Sequence, residues 1–157
     1  MAGQFLSALG LDIGKKRVGV AGCDGTGLIA TGITTIHRRS FAQLVTELQQ
    51  IVTERNVQVL VVGLPYTMAG ELGSQAKQVQ KTATSLAAAL KLPVDYVDER
   101  LTSVQAEEML RSAGISPSRY KGEVDRKAAA IILQQWLDER RHRKSSNPEP
   151  SNSNYVS

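Results

Sequence analysis

Acidic residues that could share one chemical task stand at three distant points of this sequence. Asp12 ends an apolar run, Asp98 and Glu99 follow a second apolar run, and Asp125 stands near the start of a helical pattern. A carboxylate buried without a partner is costly, so these acids are expected where they face solvent, a metal ion or a substrate. Brought together, they would repel one another and bind protons unless a cation neutralised them.

The types of these side chains predict a site for a hard metal ion. Carboxylate oxygens favour Mg²⁺ or Mn²⁺, and the single Cys23 and the separated His37 and His142 lack the spacing of a softer-metal site. Such a site can hold two ions about 4 Å apart and catalyse in-line attack of water on a phosphodiester. Taken singly, each acid also fits a structural role in a turn, a surface ion pair or a helix start. Their predicted convergence is what favours catalysis.

Basic residues lie close in sequence to each of these acids. The formal net charge of +4 and the pI near 9.4 permit a nucleic-acid partner without requiring one. Lysine and arginine side chains beside the acids would hold the phosphates of a polynucleotide. The residues expected in this role are Lys15, Lys16, Arg17, Arg100, Lys121 and Arg126.

The first third of the sequence predicts three strands joined by short turns. The segments Leu6–Asp12, Arg17–Ala21 and Leu28–Ile36 are apolar or β-branched, and turn residues around Gly14 and Gly25 separate them. Short connections force neighbouring strands to run antiparallel, so we expect a meander.

The remaining sequence alternates between helical and strand-like patterns. Ser40, followed by Gln43 as a capping-box partner, predicts the start of the first helix. Strands that are reached through helices are expected to run parallel to the first strand. The further predicted elements are a strand at Val57–Val62, a helix at Ser74–Lys91, a strand at Val94–Val97, a helix from Thr102 or Ser103 to near Gly114, and a last helix from about Glu123 to about Arg141.

This order predicts an α/β fold, with a five-stranded mixed sheet of three antiparallel strands and two parallel crossovers, flanked by helices.

In open α/β sheets, sites form beyond the carboxyl ends of the parallel strands. Asp12 and the pair Asp98 and Glu99 end such strands, and Asp125 lies on the helix face that packs on the sheet. Because side chains alternate along a strand, one of Asp98 and Glu99 is expected to point into the site. We favour Glu99 for its longer side chain.

Length and composition predict one domain and a polar tail. The 157 residues suit a single domain, and an apolar content of 41% is ordinary for a globular protein. Residues 1–143 are expected to form the domain, and the Ser-, Asn- and Pro-rich residues 144–157 a disordered tail. One cysteine, no apolar stretch approaching about 20 residues and no signal-like start predict a cytoplasmic protein.

Four motifs follow one another along the chain, namely Gly10–Gly14 with Arg17–Ala21, Val61–Pro65 with Gly70, Asp98–Ser103, and Lys121–Asp125 running into Ala128–Leu133. In this order they resemble the motifs of the YqgF family of RNase H-like nucleases, also called RuvX. The resemblance implies an RNase H-like fold and a metal-dependent nuclease whose catalytic carboxylates, carried over by motif, are Asp12, Glu99 or Asp98, and Asp125. Members of that family are linked to maturation of the 5′ end of 16S ribosomal RNA and, earlier, to resolution of Holliday junctions.

Four functions are compatible with these features to different degrees. The leading hypothesis is an endonuclease that acts on structured RNA as a monomer or homodimer. The alternative is a DNase that resolves Holliday junctions in branched DNA and needs a two-fold dimer. An actin-like ATPase shares the first motif but needs a second domain, for which 157 residues leave no room. A non-enzymatic RNA-binding module is disfavoured by an aromatic content of only 4%.

Overall fold

The computed structural model describes residues 6–65, 72–98, 111–114 and 120–146, with side chains in the last segment described from 124 to 142. The predicted order of elements is confirmed within these ranges, and the strand boundaries agree to within two residues. The elements are β1 Ala8–Ile13, β2 Arg17–Cys23, β3 Ala30–His37, α1 Phe41–Arg55, β4 Val59–Leu64, α2 Ser74–Leu90, β5 Val94–Asp98 and α3 Tyr120–Ser146.

The five strands form one mixed sheet in the order β3-β2-β1-β4-β5. β1 pairs antiparallel with β2, and β2 pairs antiparallel with β3, because tight turns connect them. β4 and β5 run parallel to β1 because helices connect them. The predicted arrangement of three antiparallel strands and two parallel crossovers is therefore confirmed.

The helices differ from the sequence-based expectation mainly at their ends. α1 has the predicted cap, in which the Ser40 hydroxyl accepts a hydrogen bond from Gln43 N and the Gln43 side chain accepts from the cap backbone. Phe41, the first residue of α1, is 45% exposed, whereas Leu44, Leu48 and Val52 are buried. The helix predicted from Thr102 or Ser103 falls largely on residues 101–110, which lie outside the described ranges.

α3 is longer than the sequence pattern predicts. It starts at Tyr120 rather than near Glu123, so Asp125 lies in its second turn. It continues to Ser146, and residues 144–146 of the predicted tail are therefore helical. Side-chain contacts on its exposed side continue past Leu137, as in the ion pair of Arg141 Nη2 with Asp138 Oδ1 at 2.5 Å. Residues 147–157 of the tail lie outside the described ranges.

Each face of the sheet is covered by its own helices. α1 and α2 pack on the face that carries Leu9, Leu11 and Ile13, and α3 packs on the opposite face, against Ala8 and other small residues. Successive strand residues point to opposite faces, so this alternation assigns a face to every position of β1. Among the described helices, none has the length and apolar character to cross a bilayer.

Candidate active site at the carboxyl edge of the sheet

Asp12 lies near the end of β1, on the face of the sheet that α3 covers. Ala8, four residues earlier, belongs to the core beneath α3, and a Cβ atom at Gly10 would lie 2.8 Å from Leu133 Cβ and 2.9 Å from Ala129 O, both on α3. Residues two apart in a strand share a face, so the side chain of Asp12 also projects toward α3. Its half-buried position at the strand end fits the prediction of an acid at the edge of the sheet.

Gly19 allows the backbone of Asp125 to approach Asp12. Gly19 is the direct antiparallel partner of Asp12, and a Cβ atom at Gly19 would overlap the Asp125 carbonyl and lie 3.1 Å from Asp125 Cα. Directly opposed antiparallel residues share a face and have Cα atoms about 4.5–5.5 Å apart. The Cα atoms of Asp12 and Asp125 therefore lie within about 10 Å of each other, on one side of the sheet.

The carboxylate of Asp125 is held by Arg17 of β2. Arg17 Nε donates a hydrogen bond to Asp125 Oδ2 at 2.5 Å, and the two side chains are 30% and 15% exposed. Arg17 is two residues before Gly19 and so projects from the same face of β2. The sequence predicted Arg17 as a phosphate contact, and the structure in addition gives it a partner inside the acidic site.

Asp98 lies on the opposite face of the sheet from Asp12 and Asp125. Val97 belongs to the core beneath α3, and Tyr96 packs against the core beneath α1 and α2. Asp95, on the α3 side like Val97, accepts a hydrogen bond from Trp136 Nε1 at 3.0 Å. Alternation therefore places Asp98 on the α1 and α2 side, whereas Glu99, the other candidate, lies outside the described ranges.

The ends of the three parallel strands meet at one edge, as predicted. β1 ends just after Asp12, β4 ends at Leu64, and β5 ends at Asp98, which is the register partner of Leu64. Within the described ranges, no group of three or more His, Cys, Asp or Glu side chains is close enough to hold a metal ion. The described part of the site thus consists of Asp12, Asp125 and Arg17, and a third acid would have to come from the remaining residues.

The other predicted basic residues lie in different parts of the structure. Lys15 and Lys16 are exposed in the turn between β1 and β2, directly after the strand that carries Asp12. Arg126 is half-buried where α3 crosses β3, and its Cβ would lie 3.0 Å from a Cβ atom at Gly32. Arg100 and the side chain of Lys121 lie outside the described residues.

Arg38 is a site-forming residue whose individual role was missed in the sequence. Its Nη1 donates to Gly14 O at 2.6 Å, and its backbone N donates to Lys16 O at 2.8 Å, so it holds the turn after Asp12 against the end of β3. In the sequence the only sign of this role is that Arg38 belongs to a basic pair directly after β3.

Proteins of known family resemble this chain over most of its length. The chain matches the RuvX family, described as "Holliday junction resolvase", over residues 6–139. A Trichormus variabilis protein named "Putative pre-16S rRNA nuclease" is 70% identical over 138 residues, covering 88% of this chain and 91% of that protein. A Microcystis aeruginosa protein of the same name is 66% identical over 138 residues, covering 88% of this chain and 95% of its own length.

Solved structures with the same fold have much lower sequence identity. Thermus thermophilus RuvC in complex with a Holliday junction substrate has a TM-score of 0.54 at 14% identity, covering 87% of this chain and 96% of that one. The fowlpox virus resolvase with Holliday junction DNA has a TM-score of 0.51 at 11% identity, covering 86% and 99%. These likenesses confirm the RNase H-like fold. Together with the family match and the close relatives, they show that this chain belongs to the RuvX family, also called YqgF.

Proposed function

We propose that this protein is a metal-dependent endonuclease that matures the 5′ end of pre-16S ribosomal RNA in the cytoplasm. The observation that carries the proposal is the approach of Asp125 to Asp12 across Gly19, which brings two carboxylates from distant parts of the chain to one side of the carboxyl edge. The names of the close relatives support ribosomal RNA as the substrate.

We assign the metal ligands to Asp12, Asp125 and Glu99. The first two fit a hard cation because they offer only carboxylate oxygens, lie on one face, and are half-buried at the edge of the sheet. Glu99 is supported as the third ligand by the position of Asp98, since the next residue of an extended strand would project to the side of Asp12. Bound Mg²⁺ or Mn²⁺ would neutralise these acids and activate water for attack on the phosphodiester.

Within this site the protein's own residues orient the acids and bind the polyanion. Arg17 fixes the Asp125 carboxylate through its 2.5 Å hydrogen bond and compensates its charge. Lys15 and Lys16, which are exposed in the turn that follows β1, are proposed to contact phosphates of the substrate strand. Arg100, Lys121 and Arg126 are proposed to contact phosphates farther along the substrate.

Cleavage of precursor 16S RNA tests this proposal. In Mg²⁺ or Mn²⁺ the unmodified protein is expected to cut the precursor, and Asp12→Asn to lower the rate on the order of 100-fold or more. Asp138→Asn is a matched control, because Asp138 is an exposed acid farther along α3 that bonds to Gln134 and Arg141 of the same helix. Equal cleavage by the Asp12→Asn variant would show that the activity resides elsewhere.

A Holliday junction resolvase is the second candidate, because the matched family carries that description and two junction-bound resolvases share the fold. The same carboxylates would then cut branched DNA, and symmetric cutting requires a two-fold dimer. Cleavage of a four-way DNA junction in preference to precursor RNA, together with a dimer in sedimentation experiments, would favour this candidate. A monomer that leaves the junction intact would exclude it.

A further inference from the structure

A polar cavity of about 370 Å³ lies at the carboxyl edge of the sheet, beside the turn that follows Asp12. Three elements form it, namely the turn between β1 and β2, the segment just after β3, and the first half of α2. The basic and polar residues that line it are Lys15, Arg38, Gln75, Gln78, Lys81 and Thr82.

This cavity and the acidic site lie on opposite faces of the sheet. Ile13 and Val79 form the apolar part of the cavity wall, and both belong to the core beneath α1 and α2. Asp12, the residue before Ile13, projects to the α3 side. The two sites are therefore separated by the sheet itself, and the turn that begins at Gly14 connects them.

The lining of the cavity matches an anion that also carries hydrogen-bonding groups. Lys15, Arg38 and Lys81 bring three positive charges to one small volume, and no carboxylate stands among the described residues that line it. Like charges gathered in this way are stabilised when an anion joins them. The side-chain amide of Gln78 and the hydroxyl of Thr82 can each donate and accept hydrogen bonds, as recognition of a sugar or base edge requires.

One of the cations has a fixed position at the cavity mouth. Arg38 Nη1 donates to Gly14 O at 2.6 Å, and this bond holds the guanidinium beside the turn instead of leaving it to move in solvent. A group held in place in advance loses less conformational entropy when a ligand binds. Lys81 approaches from α2 on the other side, so an anion would be contacted from two elements.

We propose that this cavity binds one phosphate-bearing nucleotide of the substrate strand, a short distance from the bond that is cut. The inference rests on the proposed nuclease function and adds a binding subsite to it. Lys15, Arg38 and Lys81 hold the phosphate, and Gln78 and Thr82 contact the nucleoside.

Binding of a labelled single-stranded RNA oligomer, measured by fluorescence anisotropy in EDTA, tests the subsite without any cleavage. Lys81→Gln is expected to weaken binding several-fold and to lower the slope of log Kd against log salt by about 1, as loss of one phosphate contact predicts. Lys77→Gln is the matched control, since Lys77 is exposed one turn earlier on α2 and outside the cavity lining. Equal effects of the two substitutions, or none from Lys81→Gln, would overturn the proposal.

A second measurement locates the contact. Titration of the ¹⁵N-labelled protein with the same RNA is expected to shift the amide resonances of Gly14, Gln78 and Thr82, and to leave Gln49, on the exposed side of α1, unchanged. Shifts confined to the α3 side would overturn the subsite while leaving the nuclease proposal intact. Conversely, cleavage that survives Asp12→Asn would overturn the nuclease proposal, whatever the EDTA experiment shows.

Discussion

Arg17 Nε lies 2.5 Å from Asp125 Oδ2 and joins the start of β2 to the second turn of α3, across 108 residues of sequence. Asp125 is only 15% exposed, and a carboxylate at that depth is costly unless a donor or a cation accompanies it. The ion pair therefore stabilises the docking of α3 at the point where Asp125 meets Asp12. The proposed metal ion would lie next to this pair.

Substitution of Arg17 should show how much its ion pair with Asp125 contributes to the stability of the fold. Arg17→Gln is expected to lower the free energy of unfolding by about 1–2 kcal/mol, because Asp125 would keep its partly buried charge and lose its partner. Urea denaturation without divalent ions measures the change. Asp138→Asn, which weakens the exposed pair of Asp138 with Arg141 and leaves Arg141 in place, is the control and should cost less than about 1 kcal/mol.

If the two substitutions destabilise the protein equally, the Arg17 pair behaves as an ordinary surface contact. Addition of Mn²⁺ should restore part of the stability lost in Arg17→Gln, because a cation can neutralise Asp125 in place of the guanidinium. No such recovery would argue against metal binding at Asp125.

Gly19 is expected to be intolerant of any side chain. Gly19→Ala would force a methyl group into the Asp125 carbonyl, so α3 must move away from β2 and Asp125 from Asp12. We predict a loss of roughly 1–3 kcal/mol in stability, the usual cost of overpacking, together with a loss of cleavage. Thermal unfolding and precursor cleavage measure the two effects.

Gly22→Ala is the matched control for Gly19→Ala. Gly22 lies in the same strand, and the atoms nearest to a Cβ atom there belong to the guanidinium of Arg55, at 2.7 Å, which is the far end of a flexible side chain held by one hydrogen bond to Cys23 O. Gly22→Ala should therefore keep both stability and cleavage close to those of the unmodified protein. Comparable damage from both substitutions would mean that β2 is intolerant in general, and that the approach of Asp125 has no special role.

Asp98, the last residue of β5, and Glu99, the next residue in the sequence, should differ sharply in function. Glu99→Gln is expected to abolish cleavage, whereas Asp98→Asn should leave most of it, because Asp98 projects to the α1 and α2 side. Cleavage rates of the two variants in Mg²⁺ and in Mn²⁺ measure the difference. The reverse ranking would assign the third ligand to Asp98 and would contradict the placement of Asp98 on the α1 and α2 side.

The sequence is sufficient to predict the mixed sheet and the edge at which Asp12 and the ends of β4 and β5 lie. The apolar runs and short turns around Asp12 determine the antiparallel meander of β1, β2 and β3, and the alternation rule restricts the choice between Asp98 and Glu99. The ion pair of Arg17 and Asp125 was not predicted, because it depends on where α3 docks along β2. One signal could have located that docking, since a glycine such as Gly19 inside an apolar strand often marks a close approach of another backbone.

The cavity was also beyond reach of the sequence. Lys15, Arg38 and Lys81 come from three separate elements, and each one taken alone is an ordinary basic surface residue. Only the packing of α2 on the sheet brings them around one volume. The length of α3 was underestimated for a related reason, because its last turns are polar and carry no apolar period to mark them.

The most direct test is a crystal structure of the protein soaked in Mn²⁺, with anomalous scattering used to locate the ions. We predict at least one Mn²⁺ at the carboxyl edge of the sheet, bound by carboxylate oxygens of both Asp12 and Asp125. Crystals of Asp12→Asn under the same conditions should lose that ion. Mn²⁺ bound elsewhere, or retained in the Asp12→Asn crystals, would contradict the proposal that these two acids form a shared metal site.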